Sequence, residues 1–326
     1  MEPMRLATLL ASLPPGWGRA LQLPQDPATV IITGVAEDSR RAQPGTLFLA
    51  RKGRGTDGHR YIPAALAAGA VVVAGEVAPD ELLTPLPAHV PYLQVEDGYT
   101  AFALFSAAFF RFPTHSMTVV GVTGTDGKTT TSTLVHSILT TAGIHTGLIT
   151  TISALIGNQA LDTGFHVTTP EAFDLQGYLA QMARAGCTAA VVETTSHALD
   201  QARVAYVDYD VAVVTNVTHE HMDWHGSWEG YMAAKARLFD ALHTSTRKPG
   251  VPKTAVLNLT DRSYGALKDK PADQVITYAL GGWEGSRLAQ AATYSARDIV
   301  VDRHGTAFTL QTPQGEVPVR LHLLGR

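Results

Sequence analysis

The chain is poor in cysteine. Cys187 is its single one, so no internal disulfide framework can form, and a reducing compartment is expected. It also lacks an excess of positive charge: 25 basic against 29 acidic side chains leave a formal charge of −4. The Lys and Arg residues are dispersed, without the basic stripe of a nucleic-acid binder or the polybasic segment of a membrane anchor. No apolar run approaches the ~20 residues that span a bilayer. Glu2 and Arg5 bracket a start without a signal-peptide pattern. These absences lead to the expectation of a cytoplasmic protein that neither inserts into membranes nor binds nucleic acid. What is present is ordinary for a globular protein: 326 residues, 45% apolar and 17% charged, enough for two or three domains.

The most informative stretch is residues 124–130: Gly124, Thr125, Asp126, Gly127, Lys128, Thr129 and Thr130. A β-branched run at residues 117–122 precedes it and reads as a buried strand. After it, Leu134, Val135, Ile138, Leu139 and Ala142 recur with helical spacing. A glycine-rich turn between strand and helix, ending in Lys-Thr, is the architecture of a phosphate-binding loop. Backbone N–H groups and the helix N-terminus face the phosphates, Lys128 neutralises them, and the Thr129 hydroxyl reaches a Mg²⁺. The place where such loops usually carry their first glycine is Val122, flanked by Gly121 and Gly124, so the loop is a variant.

Residues 1–112 read as one unit and residues 113–326 as a second. In the first, a weak helical pattern at residues 4–13 leads to strands at 30–33, 46–50 and 70–74. Helices follow at 61–68 and 99–110, and proline-rich sequence at 79–91 is a loop. From Met117 strands and helices alternate. Helices fall at 170–185 and 229–242, and strands at 146–150, 189–193, 211–216 and 254–258. Alternation of this kind predicts an α/β fold with a mostly parallel sheet covered by helices. The tail, with strands at 308–312 and 316–324 around Pro-Gln-Gly, reads as a small antiparallel hairpin.

Ligands of open parallel sheets sit at the carboxyl ends of the strands. Three further polar clusters fall at that edge. One strand ends in Glu193, followed by T-T-S-H; another ends in Asn216, followed by T-H-E-H-M-D-W-H; the third cluster is A-A-K, ending in Lys235. A carboxylate at a strand end beside a phosphate loop suits Mg²⁺. The histidines at 219, 221 and 225 raise zinc as an alternative, but no cysteine lies near and the spacing fits no standard zinc pattern.

With these motifs in order, together with T-T-P-E (168–171), E-T-T-S-H-A-L-D-Q-A-R-V (193–204) and Y-M-A-A-K-A-R-L-F (231–239), the sequence resembles the Mur ligases, ATP-dependent amino-acid ligases of peptidoglycan precursor synthesis. Within them it is most similar to the tripeptide-synthetase branch. D-S-R-R-A-Q-P-G-T-L-F-L-A (38–50) and D-G-H-R-Y-I (57–62) resemble that branch's uridine-nucleotide domain. The resemblance implies an N-terminal UDP-sugar domain and a central ATPase domain. It implies ATP and two Mg²⁺ as cofactors, UDP-N-acetylmuramoyl dipeptide and an amino acid as partners, and a monomer.

Residue by residue, it implies that 124–130 hold the ATP phosphates with Asn216 near the nucleotide. Thr129 and Glu193 would bind one Mg²⁺, and His221 with a carbamylated Lys235 a second; Lys128, Glu193, His221 and Lys235 form the catalytic set. Ser39, Arg54, Gly55 and Thr56 would contact UDP. Thr168, Thr169, Thr195, Gln201 and Arg203 would hold the muramoyl-peptide end. The implied chemistry is phosphorylation of a substrate carboxylate to an acyl phosphate, which an amino-acid amine then attacks.

There are departures. Asp126 stands where Asn is more usual, Thr195 where Ser is, Glu220 where Asp is, and Glu37 where an apolar residue often lies beside the uracil. The resemblance also leads to the expectation that the family's third, amine-binding domain lies outside this chain, since residues 323–326 are where its linker normally begins. The expectation is a chain that binds substrates without completing ligation at a useful rate. Two other readings stand beside this one: another amide ligase on the same core, of the folylpolyglutamate or cyanophycin synthetase kind, and a non-catalytic nucleotide or UDP-sugar binding module.

Overall fold

The computed structural model describes residues 2–53, 55–152, 154–156, 159–161, 169–220, 222–280 and 291–323. The chain forms two compact units. The first comprises Met1–Ser116, Thr169–Ala185 and Asp200–Val207; the second comprises Met117–Thr168, Gly186–Leu199 and Asp208–Arg326.

The first unit is built on a five-stranded sheet. Gly34–Ala36, Thr46–Ala50, Val72–Gly75 and Tyr92–Gln94 run parallel, and Arg19–Leu21 closes one edge antiparallel. The central strands are buried along their whole length, as their unbroken apolar runs require when both faces are covered. The helix Gly98–Phe109, capped by Asp97, is apolar on nearly every face and packs Phe102, Phe105 and Phe109 into one core. That is why the second partner of this helix matters. Helix Ala172–Arg184, distant in sequence, brings Ala172 and Phe173 into the same core, with Phe173 5.7 Å from Phe109 and 5.1 Å from Phe110.

The second unit carries an eleven-stranded sheet among the described residues. Seven neighbouring strands are parallel: Thr146–Ile149, Ala189–Glu193, Thr118–Thr123, Val211–Val214, Thr254–Asn258, Gln274–Leu280 and Tyr294–Asp302. Antiparallel strands extend both ends: Ala154–Ile156 and Gln159–Leu161 at one, Gly305–Thr312 and Gly315–Leu321 at the other. The α/β class, the mostly parallel sheet and the antiparallel tail agree with the sequence expectation. The pairs Gly34–Ala36 and Tyr92–Gln94, and the strands Gln274–Leu280 and Tyr294–Asp302, were not foreseen. The last two are amphipathic and largely exposed, so they lack the continuous apolar run that marks a buried parallel strand. On the helix Lys128–Thr141, Val135 and Leu139 pack on the sheet, while Ile138 is 66% exposed. The expected helix is there, with a narrower buried stripe.

At the amino-terminal edge of this sheet lies a buried ionic knot. Asp210, fully buried, accepts from Val119 N at 2.9 Å and from Lys253 Nζ at 2.9 Å, and pairs with Lys248. Lys253 Nζ also donates to Tyr209 O and Thr246 O, and Lys248 Nζ donates to Asp208 O. A buried charge is tolerable only when paired and hydrogen-bonded, and here one carboxylate satisfies two cations and a backbone donor. Asp210→Ala would strand both ammonium groups and the Val119 N–H. It is expected to lower unfolding free energy by about 3–5 kcal/mol, measured by urea denaturation.

Candidate active site

The strand Thr118–Thr123 runs into the loop and then into helix Lys128–Thr141, whose N-cap is Gly127 at φ +77°. No side chain caps this helix, so its first N–H groups face outward from the turn. Gly124, at φ +149°, permits a close approach: a Cβ there would lie 1.8 Å from Thr215 Oγ1. The loop is braced from the next strand end. Thr125 N donates to Asn216 O at 2.7 Å, and Asp126 N to Asn216 Oδ1 at 3.1 Å. Asn216 Nδ2 and Thr215 Oγ1 both donate to Asp126 O, at 3.2 and 2.7 Å. Asn216 therefore clamps the Asp126 peptide from both sides, while the Asp126 side chain is exposed. Lys128 folds back to donate from Nζ to Thr125 O at 2.8 Å.

Parallel pairing puts the end of Ala189–Glu193 beside this loop, with Glu193 in register with Val122. The carboxylate, 1% exposed, accepts from Thr129 Oγ1 at 2.9 Å and from Thr151 N and Oγ1 at 3.2 Å. A hydroxyl and a carboxylate so paired are hard oxygen donors that fit Mg²⁺. Among the described residues no group of three or more His, Cys, Asp or Glu could hold a metal. His221 lies outside the described residues, as do Arg54 and Thr168.

Helix Trp228–Thr244 begins at Ser227, whose hydroxyl accepts from Gly230 N, and places Tyr231 and Lys235 on one face at i and i+4. Lys235 is 1% exposed; its Nζ donates to Gly124 O at 2.6 Å and lies 4.3 Å from the Tyr231 ring centre. Burial, with the charge of Lys128 adding to it, pushes the Lys235 ammonium down to about 7. Burial likewise pushes the Tyr231 hydroxyl up to about 12; that hydroxyl lies 3.3 Å from Thr125 Oγ1. Sequence reasoning missed Tyr231, although its four-residue spacing from Lys235 was a usable signal. It also missed Thr151, which no local pattern marks.

In the first unit, Ser39 opens a single turn, Ser39–Arg41, capped by Asp38, which also pairs with Arg40. The turn borders a cavity of about 540 Å³ lined by Glu37, Asp38, Ser39, Arg51, Thr56 and Tyr61, among others. Gly55 and Thr56 are exposed on the adjoining loop, which Gly53 N→Thr56 O and Gly58 N→Arg51 O close. Arg51 is the lining cation the sequence reading overlooked. Its Nε donates to Glu37 Oε2 at 2.5 Å, and its guanidinium lies 3.9 Å from the Tyr99 ring centre. Thr169, Gln201 and Arg203 come together: Arg203 donates to Thr169 O at 3.1 Å and Gln201 Oε1 at 2.9 Å. Thr195 belongs to the second unit, where its hydroxyl accepts from Ala198 N.

Comparison with known proteins matches this architecture. Residues 122–326 match the Mur ligase middle domain, and residues 31–110 match the Mur ligase family, catalytic domain. A UDP-N-acetylmuramoyl-L-alanyl-D-glutamate–2,6-diaminopimelate ligase of Listeria innocua is 36% identical over 99% of this chain and 61% of its own length. A UDP-N-acetylmuramyl-tripeptide synthetase of Roseiflexus is 40% identical over 92% of this chain and 58% of its own. A solved 2,6-diaminopimelate ligase superposes with TM-score 0.75 at 27% identity, over 94% of this chain and 59% of that one. A D-alanyl-D-alanyl ligase from Acinetobacter baumannii, at 23% identity and TM-score 0.62, covers 62% of its own length and shares the fold. The chain thus spans about three-fifths of the length of the relatives it matches. With residues 122–326 and 31–110 matched by the family's domains and relatives 36% and 40% identical over nearly the whole chain, the chain belongs to the Mur ligase family.

Proposed function

We propose that this chain carries the ATP- and UDP-substrate-binding parts of an ATP-dependent ligase that joins an amino acid to UDP-N-acetylmuramoyl-L-alanyl-D-glutamate through an acyl phosphate. The observation that carries the reading is the meeting of three strand ends and one helix face at the loop: Thr129 on Glu193 at 2.9 Å and Lys235 on Gly124 O at 2.6 Å. Lys128 and the helix N-terminus neutralise the nucleotide phosphates, and Asn216 holds the loop that binds them. Thr129 and Glu193 hold Mg²⁺, which supplies charge neutralisation at the transferring phosphoryl group. His221 and Lys235 are the groups proposed for a second ion. The amine donor is an amino acid, and 2,6-diaminopimelate, named for the Listeria relative, is the first to test.

Lys235 fits a carbamate. Its pKa of about 7 supplies neutral amine to react with CO₂, and the anion formed can ligate a cation where an ammonium would repel it. The sign of the pH dependence follows. The folded pKa lies below the unfolded one, so the penalty for burying Lys235 is fully present below about pH 7. Between about pH 7 and about pH 10 the folded state has released a proton that the unfolded state keeps. In CO₂-free buffer, stability should therefore rise with pH across that window by up to about 1.4 kcal/mol per pH unit. Lys235→Met should flatten the rise, and superposable melting-temperature profiles for the two proteins would refute the assignment.

Lys128→Ala, checked for folding by its melting curve, is expected to weaken ATP binding by roughly 10- to 100-fold, as loss of a charged hydrogen bond implies. Unchanged ATP affinity in calorimetry would remove the phosphate-loop reading. For the first unit, the cavity beside Ser39 is the proposed uridine site, with Gly55, Thr56 and Arg54 on its loop. UDP-N-acetylmuramoyl dipeptide should bind the chain at least roughly 10-fold more tightly than the free dipeptide. Equal affinities would place the uridine site elsewhere.

A further inference from the structure

Arg203 is not an open receptor. Its Nη2 pairs with Glu171 Oε1 at 2.9 Å, its Nη1 donates to Thr169 O and its Nε to Gln201 Oε1, so all three nitrogens are engaged within the chain. The guanidinium is 15% exposed, and the cleft lined by Glu37, Tyr99, Phe102, Glu171, Gln201 and Arg203 leaves no room for a water-sized group. A ligand carboxylate can reach this guanidinium only by taking the place of another anion. Glu171 is the anion that can leave: it is half-buried, at the N-cap of helix Ala172–Arg184, and its side chain makes no capping bond.

We propose that Glu171 is the resident counter-ion that the carboxylate of the muramoyl-peptide substrate displaces from Arg203, and that the displaced Glu171 takes up a proton. This rests on the reading of Gln201 and Arg203 as peptide-end contacts. The exchange balances: the Arg203–Glu171 ion pair, the substrate carboxylate and one proton become an Arg203–substrate ion pair and a neutral Glu171 carboxylic acid. The surroundings favour it. Burial already raises the Glu171 carboxyl above the ordinary range, with Arg203 the chief opposing influence. Glu37 and Asp174 add repulsion, and Arg51 and Arg41 partly offset it. Those two cations are themselves committed, Arg51 to Glu37 and Arg41 to both oxygens of Asp174. Once Arg203 turns to the ligand, Glu171 faces two carboxylates without its own partner. Glu171 thus acts as a positioning and specificity-determining residue: it holds the Arg203 fork in place and admits only a ligand that brings an anion.

Calorimetric titration of the 326-residue chain with UDP-N-acetylmuramoyl-L-alanyl-D-glutamate, in two buffers of different ionisation enthalpy, counts the protons. From about pH 7.5 to about pH 5.5, where the ligand carboxylates stay ionised, affinity should rise with uptake approaching one proton. UDP-N-acetylglucosamine, whose diphosphate diester has no group titrating in this window, should bind without uptake. Glu171→Gln should abolish the uptake and tighten binding at about pH 7.5 by roughly 3- to 10-fold. Binding of the UDP-dipeptide by the unaltered chain without proton uptake would overturn the exchange and leave the peptide-end reading standing. Uptake that persists in Glu171→Gln would also overturn it. Binding of UDP with no gain from the dipeptide would remove the peptide-end reading and this inference with it.

Discussion

The register of three parallel strands is the constraint on which the second unit's site depends. Thr118–Thr123 is paired on one side with Ala189–Glu193, Val122 opposite Glu193, and on the other with Val211–Val214, Thr123 opposite Val214. Side chains alternate across a sheet, so a slip of one residue would turn Glu193 to the opposite face and move Thr215 and Asn216 off the loop. The register is held by burial on both faces, since these strands are almost entirely enclosed. It is also held from the far edge. Asp210 accepts from Val119 N, and Asp210 N donates to Val119 O, so the start of one strand is fixed to the start of its neighbour before either reaches the phosphate loop.

The two edges of that sheet treat buried lysine in opposite ways. Lys253 and Lys235 are each 1% exposed. Lys253 meets a carboxylate and two carbonyls, which satisfy all three of its donors within the chain. Lys235 meets one carbonyl and an aromatic ring, and burial, with the field of Lys128 adding to it, makes its charged form costly. Perturbation by burial without a partner marks functional groups more often than structural ones. The contrast therefore lies in the neighbours each chain segment brings, since composition and burial are the same.

The first unit shows charge arranged in pairs along a line. Arg51 is held by Glu37, Arg203 by Glu171, and Arg41 by Asp174. Each of these three arginines is thus neutralised within the chain. Such pairing keeps the guanidinium groups oriented and limits non-specific anion binding, with exchange of partners as the route to a specific one. Glu37, which departs from the apolar residue usual in the family, earns its place in this line through Arg51.

The strand–loop–helix around residues 124–130 was legible in the sequence, because glycine spacing, a β-branched run and the helical period are all local. Glu193 was legible as a strand end for the same reason, whereas Asn216, expected to end its strand, lies two residues past Val211–Val214; the parallel sheet brings both to one edge. Tertiary structure alone decided the rest. Helix Ala172–Arg184 reads locally as one more element of the alternating run, yet it packs with Gly98–Phe109 in the first unit, because Phe173 completes an aromatic core that no local pattern announces. The Glu171–Arg203 and Asp210–Lys253 pairs join residues 32 and 43 positions apart, and Thr151 meets Glu193 across 42. Partners at such separations are chosen by the fold, since charge pairing depends on distance in space and leaves no period in the sequence. The depressed pKa of Lys235 belongs with them: the chain supplies a lysine, and only burial, with Lys128 adding to it, brings it down to about 7.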